Sequence, residues 1–162
     1  MNTVVTFERL VLDEKVPANL LQIPEWVEGA PDHLGIPLFQ SKVSAGFPSP
    51  ADDYREESLD LNQYMIAHRA STFVFTVKGD SMVVAGILDG DKLVVDRAIE
   101  PKHNQIVIAV VNSEYTVKRL FKWRGVVELR AENPAYKAIQ FKDNDELTIW
   151  GVVVGVLRKF KL

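Results

Sequence analysis

The stretch that decides the fold is Ile106–Leu120, with the sequence IVIAVVNSEYTVKRL. Its first six residues form a continuous, mostly β-branched apolar run, which is typical of a strand that is covered on both faces. The residues Asn112 to Glu114 then indicate a turn, and the segment Tyr115–Leu120 is a suitable antiparallel partner. We therefore predict a β-hairpin built around the most apolar strand of the protein.

Other predicted strands flank this hairpin in the sequence. Alternating or β-branched runs between turn residues predict strands at residues 72–78, 93–95, 126–130 and 147–157. A short helix is predicted over Leu59–His68, with Ser58 as its cap. Helical spacing places four side chains on one face of it, namely Leu61, Tyr64, Met65 and His68. The predicted fold class is mostly β: a body of short, strongly curved β-sheets with one short helix.

The first 45 residues differ in composition from the remainder. Six of the eight prolines fall within the first fifty residues, at intervals too short for a long helix or a central strand. Residues 1–45 carry six acidic and three basic residues, so they hold the whole net charge of −3 and residues 46–162 are neutral. We predict an extended N-terminal arm, residues 1–45, that lies across a folded body, residues 46–162.

Composition excludes several classes of protein. The chain has no cysteine, so a disulfide scaffold, a thiolate zinc site and cysteine catalysis are excluded. The net charge of −3 gives no sign of general nucleic-acid binding, and no phosphate-binding glycine loop is present. Without a secretory signal or a membrane-spanning stretch, a cytoplasmic protein with no membrane contact is expected. Asp89, Asp91 and Asp96 fit turns better than a metal site, and neither a metal nor a cofactor is expected.

The candidate nucleophile is Ser81, in the stretch Val77–Met82 with the sequence VKGDSM. It lies just past a predicted strand, where Gly79 allows a sharp turn and Met82 supplies an apolar wall. In that position a serine can be exposed, and its own N–H can point at an oxyanion. An ordinary turn also explains Gly-Asp-Ser, and from these residues alone the turn is the favoured interpretation.

The candidate base is Lys118, in the second strand of the hairpin. Strand alternation places it on the same face as Thr116 and Leu120. A lysine held against apolar neighbours has a lowered pKa and offers a neutral amine as general base. A lysine on an edge strand with its amine in water explains the residue equally well. Surface or packing roles are expected for the three histidines, His33, His68 and His103.

A second possible site is the basic and aromatic cluster at residues 118–124. Four cations there surround two aromatic residues: Lys118, Arg119, Lys122 and Arg124 with Phe121 and Trp123. Such a mixture is found on nucleic-acid-binding faces. Because the body is neutral and the cluster is short, an ordinary solvated hairpin is the favoured interpretation.

Five motifs occur in a fixed order along the chain. They are GFPSPA at Gly46–Ala51, DLNQ at Asp60–Gln63, GDSM at Gly79–Met82, GDKLVVD at Gly90–Asp96 and YTVK at Tyr115–Lys118. In this order they resemble the motifs of the UmuD proteins, the SOS-mutagenesis members of the LexA-type self-cleaving serine peptidases. The resemblance runs from about Ile36 to the carboxyl terminus and implies a LexA/signal-peptidase-like body.

This resemblance also implies a site and a substrate. Ser81 is implied as the nucleophile and Lys118 as the general base, with the backbone N–H groups of Ser81 and Met82 around the oxyanion. The implied scissile bond is Ala45–Gly46, which coincides with the compositional boundary of the arm. The arm is therefore expected to be the peptidase's own substrate.

Partners are implied in the same way. The resemblance implies a homodimer with its contact over residues 148–157, a RecA filament on single-stranded DNA as co-protease, and an error-prone UmuC-type Y-family DNA polymerase as partner. Direct sequence-specific DNA binding is not expected, because the proline-broken acidic arm cannot house the helix-turn-helix of a LexA-like repressor. The alternatives are such a repressor, a signal-peptidase-like enzyme, for which the membrane anchor is missing, and a non-cleaving module that binds a polymerase.

Overall fold

The computed structural model describes residues 35–39, 45–46, 55–141 and 147–161. In chain order its elements are β1 Gly35–Phe39, β2 Arg55–Asp60, α1 Leu61–Met65, β3 Thr72–Thr76, β4 Lys92–Asp96, β5 Ile106–Val111, β6 Glu114–Trp123, β7 Val126–Arg130, β8 Ile139–Gln140 and β9 Leu147–Leu157. The described residues divide into a smaller unit that ends at Met65 and a larger unit that begins at Ile66. Most of the predicted arm lies outside the described residues, and the boundary between residues 45 and 46 stays a prediction.

The smaller unit contains an antiparallel pair of strands followed by the helix. β1 pairs with β2, with Ser58 opposite Pro37. The carboxylate of Asp60 then accepts the N–H groups of Asn62 at 2.8 Å and Gln63 at 3.2 Å, so Asp60 caps α1. The predicted short helix is present, but its cap at Ser58 and its bounds Leu59–His68 are wrong: the pairing with β1 keeps the chain extended as far as Asp60, and the helix ends at Met65.

The short helix also lacks the packed face that its spacing predicted. The side chains of Leu61 and Tyr64 are 52% and 72% exposed, and no residue of α1 is buried. No helix in the part of the chain that the structure describes has the length and apolar composition of a membrane span.

The larger unit is a seven-stranded antiparallel sheet with the order β3-β4-β9-β5-β6-β7-β8. The register shifts between Val94 and Val95 and again between Ile108 and Ala109, in each case opposite β9. Bulges of this kind bend a strand and increase its twist, which agrees with the predicted curvature. β9 also approaches β4 closely, since a Cβ on Gly151 would lie 2.8 Å from a methyl group of Val95.

Strand β5 separates two hydrophobic cores. Ile108 belongs to the core that contains Met82 and Leu93, whereas Val107 and Ala109 belong to a second core on the other face. The prediction of a strand covered on both faces is therefore confirmed. The predicted hairpin is confirmed as well, because β5 pairs with β6 from Ile106 opposite Arg119 to Val111 opposite Glu114.

The predicted fold class is confirmed: the protein is mostly β, with one short α-helix among the described residues. The strands β5, β7 and β9 have the predicted bounds. β3 ends two residues early at Thr76, and β4 is one residue longer at each end than predicted. The strands β1, β2 and β8 were not predicted.

Candidate active site

Ser81 lies in a loop, residues 77–91, that connects β3 to β4 and is called the Ser81 loop below. Its base is closed by hydrogen bonds from Val77 N–H to the Asp91 carbonyl and from Gly90 N–H to the Val77 carbonyl, both at 2.9 Å. Gly79 has a φ of 93°, which side chains strongly disfavour, and its N–H donates to the Asp89 carboxylate at 2.6 Å. The loop therefore turns sharply directly before Asp80 and Ser81.

The far side of the Ser81 loop is anchored by Arg158, which follows β9. Its guanidinium binds both carboxylate oxygens of Asp91 at 2.6 Å and the Gly86 carbonyl at 2.7 Å. Asp91 is 2% exposed. The Arg158 hydrogen bond and the Leu88 N–H lower the pKa of Asp91 to about 2. An ionised, fork-bound carboxylate thus ties the loop to the end of the sheet.

Lys118 reaches Ser81 from strand β6. Its Nζ lies 2.8 Å from Ser81 Oγ, 3.0 Å from Thr116 Oγ1 and 2.9 Å from the Val117 carbonyl oxygen. The residue is only 8% exposed, and desolvation by this burial lowers the pKa of the amine. Among the described residues no carboxylate pairs with it, so no ion pair offsets the burial.

The strand register explains why Lys118 is buried. Lys118 lies opposite Val107 of β5, which is fully buried, and shares its face with Thr116 and the fully buried Leu120. β6 lies between β5 and β7 in the sheet. Lys118 is therefore not an edge-strand lysine with its amine in water, and the alternation inferred from the sequence agrees with its position.

A cleft of about 190 Å³ opens beside Ser81. It is smaller than the roughly 300–1,000 Å³ of a typical small-molecule pocket. Its lining combines apolar and polar residues and consists of Phe75, Thr76, Val77, Lys78, Ser81, Leu93, Ile108, Tyr115, Thr116 and Val117. Where the structure describes the chain, the backbone N–H groups of Ser81 and Met82 have no hydrogen-bond acceptor. Ser81, whose hydroxyl lies 2.8 Å from the desolvated amine of Lys118, thus lines one small cleft.

These features are found in a chain whose residues 37–154 match the family model described as Peptidase S24-like. The chain belongs to the Peptidase S24-like family. It is 45% identical to the protein ImpA of Salmonella typhimurium over 124 residues, which are 76% of this chain and 83% of ImpA. It is also 45% identical to the protein SamA of Salmonella typhimurium strain LT2 over 132 residues, 82% of this chain and 91% of SamA.

A LexA repressor of Clostridium perfringens is 32% identical to this Peptidase S24-like chain over 151 residues, which are 93% of this chain and 72% of the repressor. The predicted relationship to the LexA-type peptidases is thereby confirmed at the level of the family. The narrower assignment to the UmuD proteins stays a prediction.

The other candidate residues of this Peptidase S24-like chain lie elsewhere. His68 Nδ1 is 2.6 Å from a carboxylate oxygen of Asp96, and His103 Nδ1 accepts the N–H of Lys122 at 3.1 Å. Neither contacts Ser81, and His33 lies outside the described residues. The three aspartates considered as metal ligands each accept a backbone N–H in a turn: Asp89 that of Gly79, Asp91 that of Leu88 and Asp96 that of Ala98.

The predicted scissile residues are both exposed. Ala45 and Gly46 lie in the smaller unit.

The basic cluster is divided by the sheet, because Lys118 is buried while Arg119 pairs with Glu132. It therefore does not form one continuous cationic face.

Sequence reasoning missed two residues that contact the residue before Ser81. The Asn133 side-chain amide donates to the Asp80 carbonyl at 3.1 Å, and the Tyr136 hydroxyl donates to the Asp80 carboxylate at 2.5 Å. The one available signal was Asn133-Pro134, which marks a turn and says nothing about what that turn contacts.

Proposed function

We propose that this chain is a self-cleaving serine peptidase that cuts its own Ala45–Gly46 bond, with Ser81 as nucleophile and Lys118 as general base. The observation that carries the proposal is the 2.8 Å separation of Lys118 Nζ and Ser81 Oγ. A serine hydroxyl is a weak nucleophile until a base removes its proton. A lysine is such a base only when its amine is neutral, which its burial favours.

The chemistry follows from these positions. Neutral Lys118 takes the proton of Ser81, whose oxygen attacks the carbonyl carbon of Ala45. The N–H groups of Ser81 and Met82 stabilise the resulting oxyanion. The protonated amine then gives its proton to the nitrogen of Gly46 as the peptide bond breaks, and water, deprotonated by Lys118, releases the acyl group from Ser81.

The acceptors around Lys118 suit both protonation states of this cycle. Thr116 Oγ1 and the Val117 carbonyl can accept hydrogen bonds from the ammonium ion when it forms. Both are uncharged, so they hold the ammonium without fixing the proton as a carboxylate would. The amine therefore stays able to return its proton to the leaving group.

The small cleft supports a substrate with small side chains. A volume of about 190 Å³ admits an extended backbone with alanine or glycine at the cut. Because the substrate belongs to the same chain, its high effective concentration replaces a large binding pocket. A narrow site with a tethered substrate is suited to a single reaction of each molecule.

For its biological setting we propose the role that the sequence motifs imply. A RecA filament on single-stranded DNA biases the arm towards the cleft, which raises the fraction of molecules able to react. The trimmed homodimer then acts as accessory subunit of an error-prone Y-family DNA polymerase in SOS mutagenesis. The motif order and the relationship to LexA-type peptidases support this proposal.

One incubation tests the peptidase proposal. The purified chain is held across a pH series from about 7 to 11, and the fragments are weighed by mass spectrometry. Cleavage between Ala45 and Gly46 is expected, with a rate that rises with pH, while Ser81→Ala and Lys118→Ala stay intact. If wild type and Ser81→Ala are equally stable over days, with or without RecA filaments, the chain is a non-cleaving module.

A further inference from the structure

The segment that connects β7 to β8 packs against the Ser81 loop. This 131–136 segment makes four hydrogen bonds to the loop. Three of them hold Asp80: Asn133 Nδ2 donates to its carbonyl at 3.1 Å and to its carboxylate at 3.4 Å, and the Tyr136 hydroxyl donates to its carboxylate at 2.5 Å. In the fourth, Val84 N–H donates to the Glu132 carbonyl at 2.8 Å. The segment therefore holds the loop on both sides of Ser81.

The same segment is also fixed to the strand of the proposed base. The Glu132 carboxylate forms an ion pair with Arg119, the residue that follows Lys118 in β6. Arg119 in turn donates to the Asn104 carbonyl at 2.7 Å. One short segment thus contacts the residue directly before Ser81 and the residue directly after Lys118.

Within the loop the backbone at Asp80 is held by two hydrogen bonds, from Gly79 N–H to the Asp89 carboxylate at 2.6 Å and from Val83 N–H to the Asp80 carbonyl at 3.2 Å. Gly79 adopts a φ of 93° and offers no side chain that would fix the chain direction, so the contacts from the 131–136 segment add to these two. After Ser81, the fully buried Met82 anchors the backbone. In the part of the chain that the structure describes, no cation pairs with Asp80, so its carboxylate depends on Tyr136 and on a weaker contact from Asn133 Nδ2 at 3.4 Å.

We propose that Asn133 and Tyr136 are positioning residues for the self-cleavage reaction, an inference that rests on the function proposed above. By holding the carbonyl and the carboxylate of Asp80, they fix the peptide that leads into Ser81 and keep its hydroxyl at the amine of Lys118. Neither residue touches the reacting atoms. Misplacing a nucleophile by about 1 Å can cost about 100-fold in rate, so a hydrogen bond one residue away is able to control the reaction.

The hydrogen bond from Tyr136 to Asp80 persists at the alkaline pH at which self-cleavage is expected to be fast. The hydrogen bond to Asp80 raises the pKa of Tyr136. The phenol therefore stays protonated to higher pH than an ordinary tyrosine and keeps donating in alkaline solution. The positioning contact and the neutral form of Lys118 are thus present together.

The test compares self-cleavage rates across the pH series for wild type, Tyr136→Phe and Asn133→Ser. Asn133→Ser keeps a side-chain acceptor for Ala135 N–H, adds no charge and is too short to donate to Asp80. Each variant is expected to lower the alkaline plateau of the cleavage rate about tenfold without moving the midpoint of the pH profile, because the burial of Lys118 is unchanged. Tyr64→Phe is the matched control, since Tyr64 is 72% exposed and donates to no described residue.

A double-mutant cycle with Asp80→Ala identifies the route of the effect. If Tyr136 acts through Asp80, the double variant is no slower than Asp80→Ala alone. If the rate losses of the two single variants multiply in the double variant, the proposal is overturned. So would a midpoint that moves to higher pH together with a lower melting temperature, because that pattern indicates general loosening around Lys118.

Labelling of Ser81 by a fluorophosphonate separates this inference from the proposed function, since it requires the serine and its base but not the arm. Slower labelling of Tyr136→Phe supports positioning. If Tyr136→Phe is labelled and cleaves itself at the wild-type rates, the positioning role is overturned and the proposed peptidase function is unaffected. If the wild type neither cleaves nor labels, the proposed function fails, and the positioning role fails with it.

Discussion

Thr116 Oγ1 lies 3.0 Å from Lys118 Nζ, two residues along the same strand and on the same face. The hydroxyl is therefore placed to accept a hydrogen bond from the ammonium form of the lysine. Such a bond stabilises the charged form and opposes the pKa lowering that burial causes. The working pH of the proposed base is thus set by two opposing effects.

Thr116→Val removes this acceptor while keeping the shape of the side chain. The ammonium form loses a hydrogen bond, so the midpoint of the pH–rate profile is expected to fall by about one pH unit. Self-cleavage rates across the pH series measure it, with Thr148→Val in β9 as the matched control. A midpoint that rises would contradict the assigned role of the hydroxyl.

Lys118→Met is expected to abolish cleavage and yet stabilise the fold. Because the pKa of Lys118 is lower when folded than its ordinary 10.5, the unfolded chain binds the proton more tightly. The destabilisation of the fold by the buried ammonium group is therefore complete at pH values below the pKa of Lys118 in the folded protein, and it disappears as pH rises to about 10.5. At neutral pH the variant is expected to gain about 1 kcal/mol, measured by denaturant unfolding.

That gain should shrink towards zero near pH 10.5, which distinguishes relief of a buried charge from better packing. Lys137→Met, on an exposed lysine, is the control and should change stability little at either pH. A gain of equal size at both pH values would contradict the explanation.

Arg158→Gln is expected to loosen the Ser81 loop. The pKa of Asp91 is depressed from 3.8 to about 2, so the pair stabilises the fold fully above pH 3.8 and this contribution is lost as pH falls through about 2. The variant should lower the melting temperature on the order of 5 °C at neutral pH. The difference from wild type should narrow in acid, and thermal melts at both pH values measure this.

Gly46→Leu is expected to slow self-cleavage about tenfold or more, because a cleft of about 190 Å³ has little room for a branched side chain at the cut. Fluorophosphonate labelling of Ser81 should stay at the wild-type rate, since the dyad is untouched. Cleavage of this variant at another bond in the arm, at the wild-type rate, would contradict the assignment of Ala45–Gly46 as the scissile bond.

Most of the larger unit could be predicted from the sequence because all its strands except the two-residue β8 are local apolar runs. Strands β5, β7 and β9 were found with their observed bounds, and their patterns depend on burial alone. The pairing of β1 with β2 could not be predicted, since the polar segment Arg55–Asp60 carries no alternating signal and its partner lies beyond an intervening segment. For the same reason Ser58 was assigned as a helix cap although it lies in a strand.

The candidate site was predictable in part. Residue patterns alone suggested Ser81 and Lys118 but left their pairing open, because the two lie 37 residues apart and meet only through the register of β6 and the path of the Ser81 loop. The contacts of Asn133 and Tyr136 with Asp80 depend on how two loops meet, which no periodicity encodes.

Where the structure describes the chain, Lys118 has no charged partner, and this has a consequence for how the reaction responds to ionic strength. With the amine neutral, neither Ser81 nor Lys118, the proposed reacting pair, carries a charge before the proton moves, and mobile ions screen only charges. Added salt should leave the spontaneous alkaline reaction unchanged. Any salt sensitivity of a stimulated reaction would then belong to the encounter with the activator, which makes sodium chloride a simple probe for separating activation from catalysis.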